Sequence, residues 1–495
     1  MRCTSLWKTV FFVVAGLVTL RGGDVVATPV QDTANNACTQ IAHAVSSASG
    51  VFFPSDPTSH YASDVEHWAI TSSQNSTCSV EPGTAKDLGS VLQILGRTRT
   101  SFAVKGGGHA TNPGFSSTKG VQISLARFNG VTYNANTQTA DVGAGLVWDD
   151  VYTQLLAHGV IAIGGRMSGV GVAGFSLGGG YSYLTNQHGL GHDNIVAYEL
   201  VLPSGAVTTV TETSNSDLFF ALRGGWNNFG IVTKFTMKTY PQGQVWGGII
   251  EISSEHLDAV NAATLNYIEN AADPKSALAA SYVFSPSSGL VSLLVLFYSE
   301  PSPPSGLFDD FLSIPAIVQD ISTRSYVSLV QSVPETANLR TFYHTVPHAF
   351  YDASTLNTIV NETSFWGEKL ANDSFVSLTY VAEPFLPTIL THSTSPTAWP
   401  PSRNKAFLPT NVAIKWSDPA ADTLMHDSIS ASVQNVINVA NQDGQGLDNA
   451  PFYGNYALFS TPVQSIYGSN LGRLKKIKAT YDPQNVMSLA GGWKI

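Results

Sequence analysis

The stretch Val104-Lys105-Gly106-Gly107-Gly108-His109 places three consecutive glycines between a lysine and a histidine. Because glycine adopts left-handed and other strained backbone conformations, successive N–H groups of such a loop can converge on an anion such as a pyrophosphate. The histidine then stands where an imidazole can react with the molecule that carries the anion. The alternative for this stretch alone is a glycine-rich surface turn, and its context decides between the two.

The composition excludes several classes of protein. The chain has 495 residues, of which 43% are hydrophobic and 12% charged, so it is not disordered and is long enough for more than one domain. Its net charge is −10, and no basic stripe is visible, which argues against nucleic acid or an anionic membrane as a partner. We expect no metal, no transmembrane helix and a monomer.

The first residues have the order of a secretory signal. Arg2 and Lys8 precede the apolar run 10–20, which is too short to span a bilayer, and Val25-Val26-Ala27 offers a cleavage site. The sequence therefore predicts a signal peptide over 1–27 and a protein secreted to the extracellular space or cell wall. The alternative is a buried N-terminal helix.

Cysteine usage and sequons agree with secretion. Cys3 would leave with the signal, and Cys38 and Cys78 would form a disulfide in an oxidising compartment. The alternative is two free buried thiols. Glycosylation sequons begin at Asn75, Asn361 and Asn372.

Periodicity predicts an α+β chain with a change of character near residue 242. Helices are predicted over 86–95, 148–156, 217–222, 256–269 and 420–440. Strands are predicted over 102–104, 121–125, 140–145, 160–163, 196–202, 207–210, 231–236, 282–284, 291–298 and 408–416. The tail from Phe452 is predicted to hold a strand and a last helix over 469–480.

Two further motifs each support a different reading. Residues 169–174 match G-x-G-x-x-G, but the preceding strand is too short and distant, and the residues that follow are a poor helix start, so a Rossmann site is disfavoured. Residues 174–178 match G-x-S-x-G, which would make Ser176 the nucleophile of a secreted serine esterase. Gly178-Gly179-Gly180 opposes the helix that this elbow needs, although histidines do follow: His344, His392 and His426.

Six motifs follow one another along nearly the whole chain. They are Lys105–His109, Val142–Gly145 with Trp148, Val170–Gly174 with Leu177–Gly180, Leu222–Gly225 with Asn228–Thr233, Tyr453–Tyr456 and Tyr481–Pro483. In this order they resemble basic-x-G-G-H, V-G-A-G-x-x-W, V-G-V-G-G…G-G-G, L-R-G-G-G…N-F-G-I-V-T, Y-x-N-Y and Y-D-P. These are motifs of the secreted fungal berberine-bridge-enzyme-like oxidases of the vanillyl-alcohol-oxidase superfamily.

The resemblance implies a two-domain α+β fold of the PCMH/VAO FAD-binding type. An FAD-binding domain is expected over 28–242, and a substrate-binding α+β domain on an antiparallel sheet over 243–450. A C-terminal segment, 451–495, is expected to return to the FAD domain.

The resemblance also implies FAD bound covalently from His109 to the flavin 8-methyl group. Met167 stands where some members have a second linking cysteine, so a single covalent bond is expected. Val170 resembles the oxygen-gate position, which favours an oxidase that reduces dioxygen to hydrogen peroxide. The other implied FAD contacts are Lys105, Gly106, Gly107, Gly108, Ala110, Gly169, Val170, Gly171, Gly174, Gly179, Ile231, Val232 and Asn455.

The implied reaction is hydride transfer from a substrate carbon to FAD, with proton removal from an adjacent O–H or N–H. Tyr456 is the first candidate for the base, but a tyrosine pKa near 10 must be lowered for that role. Its alternative is a core tyrosine. Glu383, beside Tyr380, is the second candidate, and its alternative is a solvated loop carboxylate.

The chain departs from the family on the substrate side. Leu458 replaces an acid, residues 398–403 replace A-F-P-H-R without its histidine, and Ala110 replaces a serine beside the flavin. Two substrate classes stay open. One is a fungal secondary metabolite, for which oxidative cyclisation is a specific candidate reaction, and the other is a carbohydrate oxidised at its anomeric carbon. The apolar middle of the chain favours the metabolite. A secreted binding glycoprotein without catalysis is the non-enzymatic alternative.

Overall fold

The structure, a computed structural model, describes residues 30–270 and 272–495. The predicted signal segment 1–27, which includes Cys3, lies outside the described residues. Within the described part, no helix is long and apolar enough to cross a membrane.

The described residues form fourteen α-helices. They are α1 Val30–Ala44, α2 His60–Val65, α3 Ala85–Thr98, α4 Trp148–Leu156, α5 Val172–Gly178, α6 Thr185–His188, α7 Ser216–Leu222, α8 Leu257–Asn270, α9 Asp309–Ser313, α10 Tyr326–Ser332, α11 Ala353–Leu370, α12 Asp422–Gln442, α13 Val463–Tyr467 and α14 Leu471–Tyr481.

The strands up to residue 241 form small sheets in what we call the first lobe (residues 30–241). Four of them, β1 Gly50–Phe52, β2 Cys78–Glu81, β3 Phe102–Lys105 and β4 Val121–Ser124, form a sheet in the order β1-β2-β4-β3. The next seven are β5 Val131–Asn134, β6 Thr139–Gly143, β7 Val160–Ile161, β8 Ile195–Val201, β9 Val207–Thr211, β10 Ile231–Lys238 and β11 Tyr240–Pro241. Five of these seven pair antiparallel in the order β5-β6-β10-β8-β9, and β7 pairs with β11.

A single antiparallel sheet of seven strands dominates the second lobe (residues 245–442). Its strands are β12 Val245–Ser253, β13 Ser276–Ser285, β14 Gly289–Tyr298, β15 Val318–Arg324, β16 Arg340–His348, β17 Phe375–Ala382 and β18 Leu408–Trp416, in the order β15-β12-β14-β13-β17-β18-β16. Helices α11 and α12 pack on this sheet, so its other face is available to the first lobe.

Local chemistry explains the elements that periodicity predicted. Helix α3 begins where Thr84 accepts a hydrogen bond from the Asp87 N–H, an N-cap of the usual kind. The helix buries Leu88, Val91 and their neighbours on one face, as its spacing predicts. Residues after 452 contain no strand within the described residues, so the predicted tail strand is wrong.

The structure joins Cys38 to Cys78, which ties α1 to β2 and confirms the predicted pairing. All three sequon asparagines are exposed, at positions 75, 361 and 372. Their accessibility is compatible with glycosylation and leaves its occurrence a prediction.

The C-terminal segment (residues 452–495) packs back on the first lobe. Asn112 Nδ2 donates to the Ala457 carbonyl at 2.9 Å, and Asn228 Nδ2 donates to the Trp493 carbonyl at 2.8 Å. Phe102 forms an isolated bridge with Ala490. Residues 453–456 are thereby held between the two lobes, close to the glycine-rich segments.

Candidate active site

Two glycine-rich loops of the first lobe pack backbone against backbone. A Cβ on Gly107 would lie 2.4 Å from the Gly171 Cα, and a Cβ on Gly171 would lie 2.5 Å from the Gly107 nitrogen. The second loop is fixed further by the Trp148 N–H, which donates to the Val170 carbonyl at 3.0 Å. Each glycine is therefore required by the other, and together they form one rigid wall.

The side chain of Lys105 is bound to backbone of the first lobe. Its Nζ donates to the Ser63 carbonyl at 2.5 Å, near Asp64 and Glu66. Burial lowers the pKa of Lys105, and those two carboxylates oppose the shift. Lys105 thus ties the loop to residues 63–66, and its contact with the cofactor stays a prediction.

His109 ends the first loop and is held between an indole and a carboxylate. Its ring stacks on Trp68, with ring centroids 4.4 Å apart and planes 14° apart. Its Nε2 lies 3.9 Å from Oε1 of Glu335, whose Oε2 accepts a 2.6 Å hydrogen bond from the Trp68 indole. His109 Nε2 and Glu335 Oε1 are both buried and have no hydrogen-bond partner among the described residues.

A buried ion pair with a tyrosine lies at the boundary of the two lobes. Arg166, four residues before Val170, donates to Glu383 Oε1 at 2.5 Å and to the Tyr456 hydroxyl at 2.7 Å. The Tyr456 hydroxyl lies 3.3 Å from the same Glu383 oxygen. The second oxygen of Glu383, Oε2, is buried without a partner in the described part of the chain, so it is the atom free to accept a proton.

Burial shifts both candidate bases toward their protonated forms. It raises the pKa of Glu383 above its usual range, and Arg166 opposes the shift. It raises the pKa of Tyr456 well above 10, again against the effect of Arg166. A carboxyl pKa raised from 4.5 moves toward neutral pH, whereas a tyrosine pKa raised from 10 moves away from it. The unpartnered Oε2 of Glu383 and the direction of these two pKa shifts together favour Glu383 over Tyr456 as the base.

Asn455 lines the same region next to helix α5. Its Nδ2 donates to the Tyr453 hydroxyl at 2.6 Å, and that hydroxyl accepts the Gly180 N–H at 2.9 Å. A Cβ on Gly178 would lie 2.0 Å from Asn455 Oδ1. The asparagine is thus fixed in orientation and leaves Oδ1 buried without a hydrogen-bond donor in the described residues.

Comparison with known proteins shows the family to which the chain belongs. The family described as FAD binding domain matches residues 76–211, and the family described as berberine and berberine like matches residues 452–490. The FAD-dependent monooxygenase tpcD of Cochliobolus heterostrophus is 30% identical over 444 residues, which cover 84% of each chain. The chain belongs to the berberine-bridge-enzyme-like FAD-linked oxidoreductases. The predicted family and enzyme class are confirmed.

Other relatives match over different shares of the chain. An uncharacterized FAD-linked oxidoreductase of Arthroderma benhamiae is 38% identical over 256 residues, or 51% of each protein, so this chain spans about half the length of that relative. The bifunctional solanapyrone synthase of Alternaria solani is 29% identical over 466 residues, which cover 91% of this chain and 87% of the synthase.

Solved structures share the fold. The 6-hydroxy-D-nicotine oxidase of Arthrobacter nicotinovorans superposes with a TM-score of 0.74 at 20% identity, covering 88% of this chain and 96% of that one. The xylooligosaccharide oxidase of Myceliophthora thermophila, with xylobiose, gives 0.73 at 18% identity, covering 94% and 99%. These matches confirm the predicted PCMH/VAO-type FAD-binding fold.

The residues of this berberine-bridge-enzyme-like site fit FAD. Buried polar groups are normally hydrogen-bonded, yet two beside helix α5 lack partners in the described residues. These atoms are Asn455 Oδ1 and Trp226 Nε1. A planar ring system with polar edges would satisfy such atoms while lying against glycine backbone, so we regard the wall as the flavin site.

The remaining predicted flavin contacts are spread along this wall. Val170 packs beside Gly165, and Gly169 has a left-handed φ of +78° with open space around it. The other members lie close to the loops or at the start of β10. Gly174 is exposed, and the rest are buried or half-buried: Gly106, Gly108, Ala110, Gly179, Ile231 and Val232.

Trp226 is a departure that sequence reasoning missed. It occupies the third glycine position of L-R-G-G-G and keeps a left-handed φ of +60°, which glycine adopts far more readily. A Cβ on Gly178 would lie 2.7 Å from the Trp226 ring. The indole therefore packs against the glycine face of α5 instead of leaving that space open.

Two arginines near the family motifs have a structural partner. Arg223 and Arg403 donate to the two oxygens of buried Asp193 at 2.9 and 2.7 Å. Burial raises the pKa of Asp193, but His192 and the two arginines outweigh it and hold that pKa below 3.8. Arg403 comes from the divergent segment 398–403, which therefore still anchors the fold.

Ser176 does not form the esterase site that the sequence left as an alternative. It lies inside α5, where periodicity predicted no helix, instead of at the strand-to-helix turn of a nucleophile elbow. Its side chain is 1% exposed, and its Oγ has no partner in the described residues. His426 contacts Ser460, and His392 contacts the Asn186 carbonyl, so neither activates Ser176.

Sequence reasoning also missed Arg166, Trp68 and Glu335. Arg166 is next to a motif but has no local pattern of its own. Trp68 and Glu335 are 267 residues apart in the chain, and only the contact between the lobes joins them. No sequence signal short of that contact could have found the pair.

Proposed function

We propose that this chain is a secreted FAD-linked oxidase that removes a hydride and a proton from a small organic molecule and yields hydrogen peroxide. The observation that carries the proposal is the buried cluster of Arg166, Glu383 and Tyr456 beside the glycine-lined wall. When bound, FAD supplies the two-electron acceptor and passes the electrons to dioxygen.

In this proposal the protein supplies proton transfer and orientation. Glu383 Oε2 accepts the proton from the substrate O–H or N–H next to the oxidised carbon. Arg166 donates to Oε1 of Glu383 and to the Tyr456 hydroxyl, which fixes both groups, and it balances the charge of the carboxylate. Tyr456 positions the substrate, because its raised pKa makes it a donor at neutral pH. Val170 keeps a small side chain beside the ring for dioxygen.

We also propose that His109 carries the flavin through one covalent bond. His109 stands at the end of the glycine loop, its ring fixed by Trp68 and Glu335. Met167 offers no second linkage. A covalent bond would retain the cofactor outside the cell, where it could not be replaced.

The substrate we place first is a fungal secondary metabolite, with oxidative cyclisation as one possible outcome. Support comes from the solanapyrone synthase, which aligns over 91% of this chain. The carbohydrate alternative has a fold match to a xylooligosaccharide oxidase. Secretion is supported by the disulfide and the exposed sequons.

The test is oxygen consumption and peroxide release by purified protein on a panel of fungal metabolites and of oligosaccharides. An oxidase gives one peroxide for each product formed, and the panel tells the two substrate classes apart. Product that carries an atom from isotopically labelled dioxygen, without matching peroxide, would overturn the oxidase proposal in favour of a monooxygenase.

A further inference from the structure

A loop of the second lobe lies across the segment that supports His109. The Asn338 N–H donates to the Trp68 carbonyl at 3.0 Å, and the Ile70 N–H donates to the Leu339 carbonyl at 2.9 Å. These bonds bring Glu335, three residues before Asn338, against the first lobe. The histidine loop is therefore completed by a residue from the other lobe.

One oxygen of the Glu335 carboxylate accepts a hydrogen bond, and the other has no hydrogen-bond partner in the described residues. Its Oε2 accepts the Trp68 indole N–H at 2.6 Å, and its Oε1 lies 3.9 Å from His109 Nε2. Lys415, the nearby cation, is engaged elsewhere, since its Nζ donates to the Thr336 carbonyl at 3.1 Å. Lys415 lies over the Trp68 ring and attracts the Glu335 carboxylate, but the free oxygen of Glu335 has no hydrogen bond in the described residues and faces the imidazole.

A carboxylate at Nε2 selects one form of the imidazole. A neutral imidazole carries its proton on one nitrogen and a lone pair on the other. When the carboxylate accepts the proton on Nε2, the lone pair is on Nδ1, and the ring becomes more basic, as in carboxylate–histidine pairs at metal sites. The 3.9 Å separation exceeds a hydrogen bond, but such contacts are commonly long before a ligand binds.

We propose that Glu335 is the positioning residue for flavin attachment: it holds the proton of His109 on Nε2 and so makes Nδ1 the nitrogen that bonds to the flavin. This inference rests on the proposed covalent bond. In the step, a C–H bond of the flavin 8-methyl group breaks and a bond forms from Nδ1 to that carbon. Two electrons enter the ring system, and dioxygen removes them with two protons as hydrogen peroxide.

Glu335 also acts on the charge that this step creates. Once Nδ1 is bonded to carbon, the imidazole is positive until the Nε2 proton leaves. The buried Glu335 oxygen faces that proton and stabilises the charge more strongly than water would, because the site is shielded from solvent. The competing explanation is that Glu335 only anchors Trp68.

The experiment follows covalent attachment in the full-length chain, starting from apoprotein made under riboflavin limitation and then given FAD. Flavin that stays with acid-precipitated protein is measured against time. Glu335→Gln keeps an acceptor for the Trp68 indole but presents no carboxylate to Nε2. We expect it to bind FAD and to attach it about 10- to 100-fold more slowly than wild type. Glu269→Gln, at an exposed position of α8, is the matched control and should attach FAD at the wild-type rate.

The outcomes separate the two proposals. Wild-type protein that releases its flavin on precipitation overturns covalent attachment itself. Glu335→Gln that attaches FAD at the wild-type rate leaves covalent attachment standing and overturns the role of Glu335. Should Glu335→Gln fail to bind FAD, Trp68→Phe decides, because it keeps the stacked ring but frees the carboxylate. An unchanged rate there supports the inference, because the carboxylate still faces His109; slower attachment shows that Glu335 acts by anchoring Trp68 and overturns it.

Discussion

The glycine wall around His109 and the polar cluster around Glu383 are built by different means. The wall consists of backbone packed on backbone, with Gly107 and Gly171 so close that neither tolerates a Cβ. The cluster consists of three side chains from distant positions, Arg166, Glu383 and Tyr456, joined by hydrogen bonds.

This difference determines where the sequence of the site can vary. Where backbone contacts backbone in the wall, only glycine fits, so those positions keep the residue type of the motif. A cluster made by long side chains constrains only where their ends meet, so the segments around it can diverge. Departures at Leu458 and 398–403 are expected on the substrate side, and those at Ala110 and Trp226 show that wall positions outside the Gly107–Gly171 contact also change.

The largest expected effect is the loss of proton transfer in the cluster. Glu383→Gln should lower turnover by about 10³-fold, because the amide cannot accept the substrate proton. Tyr456→Phe should lower it by only about 10-fold if Tyr456 positions the substrate. Turnover is measured by peroxide release at saturating substrate and oxygen, with Glu269→Gln as the control. A larger loss for Tyr456→Phe than for Glu383→Gln would return the role of base to the tyrosine.

The second effect tests the wall through two glycines of different kinds. Gly107→Ala should cost about 3 kcal/mol in the free energy of unfolding, since its Cβ must displace backbone. Gly169→Ala has open space and only a left-handed φ of +78° to oppose it, so we expect a cost of about 1 kcal/mol. Urea unfolding of both variants gives the comparison. Equal costs would show that the contact between the loops does not explain the motif.

The smallest expected effect is on the pH dependence of kcat/KM when Arg166 is replaced by lysine. Arg166 lowers the Glu383 pKa against the larger effect of burial, so Arg166→Lys, with fewer contacts, should raise that pKa. Glu383 must be ionised to accept a proton, so activity falls as pH drops through its pKa. The acid limb of kcat/KM should therefore move to higher pH.

Arg324→Lys, at an ion pair on the outer strand β15, is the matched control for this pH profile and should leave it in place. A limb that moves to lower pH in Arg166→Lys would contradict the assignment of Glu383 as the titrating base.

Much of the fold could be predicted from the sequence. Helix α4 and strand β18 have the predicted bounds, 148–156 and 408–416, because their apolar residues keep a regular spacing. Helix α5 was missed because glycines fill its C-terminal end. The predicted tail strand was wrong because residues 453–457 turn on themselves, with the Tyr456 and Ala457 N–H groups both donating to the Tyr453 carbonyl.

Parts of the site could be predicted from the sequence: His109 from local backbone geometry, and Tyr456 and Glu383 as candidate bases. His109 follows three glycines, a pattern that carries its own physical reason. The residues that orient it, Trp68 and Glu335, meet through contacts between lobes and carry no local pattern. Lys105 shows the reverse case, since its place in a motif suggested a cofactor contact while its ammonium binds the Ser63 carbonyl.

The central claim is that His109 bonds to FAD, and acid precipitation of the purified protein followed by peptide mapping tests it most directly. We expect a yellow precipitate, flavin fluorescence on the peptide that contains His109, and a His109→Ala variant that releases all of its flavin on precipitation. A colourless wild-type precipitate with free FAD in the supernatant, or a flavin peptide from any other part of the chain, would contradict the claim.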